Sequence, residues 1–95
     1  LNPKNWAYHN TLGTASYRAG EWKGAIAALE KSMELRQGGD SSDWFFLAMA
    51  HWQLGEQDKA REWYDRAVQW MDKNQPTDEE LRRFRAEAEE LMKKH

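Results

Sequence analysis

The sequence predicts an all-α protein built from stacked antiparallel helix pairs, and three features carry that reading. Apolar residues recur at three- and four-residue steps: Leu81, Phe84, Ala88, Leu91 and Met92 form one stripe, and Trp22, Ala25, Ile26, Leu29 and Met33 another. No stretch alternates with period two, and no hairpin dipeptide lies between β-branched runs. The chain also repeats itself. Shifted by 35 residues, Leu12 falls on Leu47, Ala15 on Ala50, Gly20 on Gly55, Glu21 on Glu56 and Ala25 on Ala60. A helix pair recurring at such a period cannot bury its apolar face alone, so it stacks on its copy.

Glycine and proline divide the chain into five helices. Asn5 or Pro3 opens the first, which runs to about Ala19 and ends at Gly20. The second covers about Glu21 to Arg36 and stops at Gly38-Gly39, since glycine takes a left-handed terminal turn at little steric cost. Asp40-Ser41-Ser42 offers side-chain oxygens to the unpaired amides of a third helix, about Ser42 to Leu54. Gly55 ends it, and the fourth runs from about Gln57 to Lys73. After Asn74-Gln75-Pro76, the run Thr77-Asp78-Glu79-Glu80 reads as a capping box, with Thr77 capping and Glu80 reaching back. Its acids also suit the positive end of a helix dipole. The expected organisation is one domain over 1–95: a first repeat at about 6–39, a second at about 41–74, and a capping helix at about 77–94.

The matched residues have physical roles. Gly13 and Ala48 are small because the second helix of each pair crosses the first there; Ala25 and Ala60 reciprocate, and Ser32 and Ala67 admit the next helix. Leu12, Tyr17 and Leu29, with Leu47, Trp52 and Tyr64, are expected to fill the space around these contacts.

The run Asn10-Thr11-Leu12-Gly13, then Tyr17, Gly20, Trp22 and Ala25-Ile26, resembles the tetratricopeptide repeat, as do Trp44, Leu47-Ala48, Gly55, Ala60, Tyr64 and Ala67. The resemblance covers about residues 6 to 74. It departs from the family pattern at His9, where Trp is frequent, at Ser16 and His51, where Tyr is, and at Gln37 and Asp72, where Pro marks the junction. The repeats are also similar to tetratricopeptide tails of large bacterial multi-domain proteins. The start, Leu1-Asn2-Pro3-Lys4-Asn5, has neither a signal-peptide core nor an initiator Met and reads as an excised or engineered fragment.

The resemblance implies a TPR-like α-solenoid whose first helices line a concave groove that binds a partner segment. The family's groove positions fall on Asn10, Thr14, Tyr17 and Arg18 in the first repeat, and on Phe45, Met49, Trp52 and Gln53 in the second. Phe45, Met49 and Trp52 are expected as an apolar floor and Arg18, Asn10 and Gln53 as groups that orient a ligand backbone, which suits a protein or peptide with apolar anchors. The alternative is that Trp52 and Met49 pack against the fifth helix. The clamp by which some members grip acidic chaperone tails is not formed, because its positions hold Asn10, Thr14 and Phe46. Two rival readings are a homodimer, joined through an apolar end face at the first helix by Trp6, Tyr8 or other apolar residues there, and a designed repeat protein with no native ligand.

Composition narrows the field. Ninety-five residues suffice for one core, and a net charge of −2 offers no basic face for nucleic acid or an anionic membrane. No run approaches the roughly 18 apolar residues of a bilayer span. Without cysteine there is no disulfide or thiolate site, which fits a reducing cytoplasm. Six Trp point to aromatic packing. Nothing calls for a cofactor or a metal, since neither His9 nor His51 has a His or carboxylate four residues away, as in metalloprotease motifs, and His95 is terminal. Asp40 and Asp43, like Asp78, Glu79 and Glu80, are explained as helix-start acids. Arg82, Arg83 and Arg85 interleave with Glu as solvated ion pairs. No nucleophile, phosphate loop or raised-pKa acid suggests an enzyme.

Overall fold

The computed structural model describes residues 5–93; Leu1 to Lys4, including the alternative opener Pro3, and the terminal Lys94 and His95 lie outside them. Among the described residues there are five helices and no strand: α1 (Trp6–Arg18), α2 (Trp22–Leu35), α3 (Ser41–Gln53), α4 (Gln57–Asn74) and α5 (Glu79–Lys93). α1 pairs with α2 and α3 with α4; the second pair stacks on the first chiefly through α2 and α3. This is an all-α TPR-like solenoid of two repeats with a C-terminal capping helix.

The caps explain where the helices begin. Asn5 accepts the Ala7 N–H at 2.9 Å, and Asp40 accepts the Ser42 N–H at 3.0 Å, so α3 starts at Ser41 rather than Ser42. α5 corrects the sequence reading by one residue. The side chain of Asp78, not Thr77, accepts the Leu81 N–H at 2.9 Å, and the helix starts at Glu79. Between α2 and α3 the chain takes three left-handed residues in a row, Gln37, Gly38 and Gly39. The junction that elsewhere uses a proline is here a reversed turn, pinned by the Trp44 indole donating to the Gly38 carbonyl at 3.0 Å.

The close helix crossings match the small residues. A Cβ on Gly13 would stand 2.6 Å from Leu29 Cγ and 3.3 Å from the Ala25 carbonyl oxygen. Ala25, Ala48, Ala60, Ser32 and Ala67 are all fully buried. α3 is the centre of the molecule, buried at Ser41 and from Asp43 through Trp52. Leu47 is fully enclosed, whereas its counterpart Leu12 is 44% exposed, which corrects the expectation that both fill space. The reason is position: α2 lies against α3, and no described element lies against that side of α1.

α5 lies alongside α3 and touches α4 only marginally. It runs in the direction of α3: the Phe84 ring meets the Phe46 ring edge-on at 4.8 Å, and Met92 and Leu91 cluster with Trp52.

Candidate functional site

α1, α3 and α5 form one layer with α3 in the middle, and α1 and α5 make no close backbone approach to each other. A trough therefore runs between α1 and α5 over the start of α3. One part, about 310 Å³, is lined by Asn10, Thr11, Thr14, Ala15, Ser42, Glu80 and Phe84. It continues into a narrower part of about 160 Å³ that adds Trp6, Arg36, Asp40, Gln75, Asp78 and Leu81. The other end is spanned by a bidentate ion pair from Arg18 on α1 to Glu87 on α5, with Nη2 to Oε1 at 2.9 Å. The Arg18 guanidinium also lies 5.4 Å from the centre of the Phe46 ring.

Beneath the trough a buried polar cluster ties the layer to α2. Asn10 Nδ2 donates to Asp43 Oδ1 at 2.7 Å and to Ser42 Oγ at 3.0 Å, and the Ser32 hydroxyl donates to the same Asp43 oxygen at 3.0 Å. Arg36 donates to Asp40 at 2.7 Å and lies 3.5 Å from Asp43 Oδ2. Burial pushes the Asp43 carboxyl above its ordinary range, against the opposing pull of Asn10, Ser32 and Arg36. Asp43 does stand in the first turn of α3, as expected of a helix-start acid, but it is fully buried and not in a polar loop.

The eight groove residues expected from sequence separate into groups. Phe45, Met49 and Trp52 lie inside the protein, at 0%, 0% and 5% exposure, and form no floor that a ligand can touch. Phe45 packs on Tyr64 of α4, with ring centres 6.0 Å apart, and Trp52 clusters with Met92 and Ala60. Phe45 is thus covered by α4, while Trp52 is covered in part by Met92 of α5, the alternative that the sequence left open for it. Tyr17 is also buried, against Phe46 and Trp22, its hydroxyl raised in pKa by that burial and accepting from Gln53 Nε2 at 3.5 Å. Arg18 is held by Glu87. Only Asn10 and Thr14 line the open trough. Thr11, Ser42, Glu80, Phe84 and Trp6 are among the residues that join them there, although the sequence assigns Ser42 and Glu80 to capping and Phe84 to the buried stripe. What decides their place is the packing of α5 along α3, which the repeat does not encode.

Elsewhere the chemistry is structural. His51 Nδ1 meets Glu56 Oε1 at 2.7 Å, which holds that carboxyl below its ordinary range. The Tyr64 hydroxyl donates to Glu89, and burial with this carboxylate pushes its pKa up to about 12, far from an acid useful at neutral pH. Among the described residues no group of three or more His, Cys, Asp or Glu is placed to hold a metal ion, and no helix is long and apolar enough to cross a membrane.

Stacked helical hairpins with small residues at each crossing and a trough along the first helices define a helical-repeat scaffold. Residues 4–73 match the family model Tetratricopeptide repeat, and the chain belongs to that family. Membership points to protein–protein interaction and to a generally non-catalytic scaffold. No curated protein and no solved structure matches the chain.

Proposed function

We propose that this protein is a non-enzymatic scaffold that binds a protein or peptide segment in the trough between α1 and α5. The observation that carries the reading is the trough itself: an open cleft of about 310 Å³ with hydroxyl and amide groups on its walls and the half-buried Phe84 ring at its side. Hydroxyls and amides pair with an extended backbone, and an aromatic ring adds contact area. The apolar anchors first expected for the ligand have no apolar floor to meet, because Phe45, Met49 and Trp52 belong to the core. Contacts therefore fall to Asn10, Thr11, Thr14 and Phe84. Replacing Thr14 with Trp fills the cleft without adding charge. In an anisotropy titration with labelled peptide pools, Thr14→Trp should abolish binding while leaving the circular dichroism melt in place; unchanged affinity overturns the assignment.

A second reading, self-association, is favoured by Leu12, which is 44% exposed at a site whose repeat counterpart is dry. Light scattering at two concentrations decides it, since a mass that grows with concentration and is lost in Leu12→Glu supports a dimer.

A further inference from the structure

We propose that the narrow end of the trough, between the starts of α1, α3 and α5, receives a lysine or arginine side chain of an extended peptide, an inference that rests on the groove reading above. The space there, about 160 Å³, admits a side chain and not a folded element. One wall is Trp6, which is 39% exposed. Its ring already attracts a cation, with the Arg36 guanidinium 3.5 Å from the ring centre. An aromatic face next to carboxylates is the chemistry that recognises an ammonium or guanidinium group.

The charge balance at this end is unequal. Asp40, Asp78 and Glu80 line the cleft with Arg36 as the single cation, and the fully buried Asp43 lies against Arg36. Arg82 and Arg83, the next basic residues of α5, are not among the lining residues. Asp40 and Asp78 are engaged as helix caps, but Glu80 is exposed and makes no ion pair among the described residues. Asp43 Oδ2 is buried and faces Arg36 Nη1 at 3.5 Å, so these two charges offset each other and the surplus in the cleft rests on Asp40, Asp78 and Glu80. A cation entering here meets the surplus negative charge of these three carboxylates at short range. An acidic side chain meets repulsion. The neighbouring hydroxyls of Thr11 and Thr14 then lie where the adjoining peptide backbone passes.

The test uses the full chain and labelled unstructured octapeptide pools, identical except for central lysines or central glutamates. The lysine pool should bind more tightly, and this preference should shrink as salt rises from about 0.05 to about 0.5 M. Glu80→Gln should weaken the lysine pool about threefold and Glu80→Lys about tenfold, the fold retained and the melting temperature lowered only slightly by the lost helix-start acid. Trp6→Leu should also weaken it. If both pools bind equally and Thr14→Trp abolishes both, the charge preference is overturned and the groove stands. If neither pool binds, both readings fall. If the lysine pool binds but neither Glu80 variant alters it, the cation does not sit at this end.

Discussion

Gly13 faces Leu29 so closely that a side chain there must displace it: a Cβ would lie 2.6 Å from Leu29 Cγ. Gly13→Val should therefore destabilise the protein by roughly 2 kcal/mol, read from urea denaturation. Gly24 is the contrasting case, exposed within α2, with nothing nearer than 3.9 Å to an added Cβ. Gly24→Ala should raise stability by about 0.5–1 kcal/mol in the same assay, because alanine loses less backbone entropy in a helix. Asp43 sets a pH dependence whose sign follows from its raised folded pKa. The stability it contributes is complete below the unfolded value of about 3.9 and is lost as pH rises through the folded one. Asp43→Asn should accordingly gain on the native protein as pH rises from the unfolded value of about 3.9 through the folded one, as paired urea curves would reveal. Glu89, held below its ordinary range chiefly by the Tyr64 hydroxyl, works the other way: its contribution is present above about pH 4.3 and fades as pH falls through the folded value. The tight place for Gly13 was legible because Ala48 occupies the same place in the second repeat. Asp43 was not, because an acid in the first turn of a helix is normally wet, and its burial depends on Asn10, Ser32 and Arg36 arriving from two other helices.

At the scale of elements, the five helices and their order were readable from glycine placement and apolar spacing, and the boundaries shifted by only a residue or two. The start of α5 shows why boundaries are harder. Both Thr77 and Asp78 carry a capping oxygen three residues before a possible amide partner, and the chain geometry after Pro76 selects Asp78. Asp78→Ala should cost about 1 kcal/mol and speed amide exchange in the first turn of α5, while Thr77→Ala should leave both nearly unchanged. An equal effect from the two substitutions would contradict the cap. The position of α5 was the least legible feature. Its stripe of Leu81, Phe84, Ala88, Leu91 and Met92 was plain, but a stripe specifies that a face is buried and not against what. The structure gives that face to α3, and with it goes Trp52 from the apolar floor first assigned to ligand binding.

At the scale of the molecule, repetition defines the architecture while neighbours define each residue's role. Leu12 and Leu47 occupy matching positions, yet one is 44% exposed and the other fully buried. Leu47→Ala should cost about 2–5 kcal/mol, whereas Leu12→Ser should stay within about 0.5 kcal/mol, both measured by denaturant titration. A large loss at Leu12 would mean that something covers it in solution. The same comparison says what lengthening the stack would require. A further hairpin spliced ahead of Trp6, copied from the first, would find Leu12 ready to be covered. Its arginine equivalent to Arg36 would meet Tyr8, which stands where the second repeat has Asp43. There the arginine would meet an aromatic ring in place of a carboxylate, and Tyr8→Asp would restore the ion pair seen between Arg36 and Asp43.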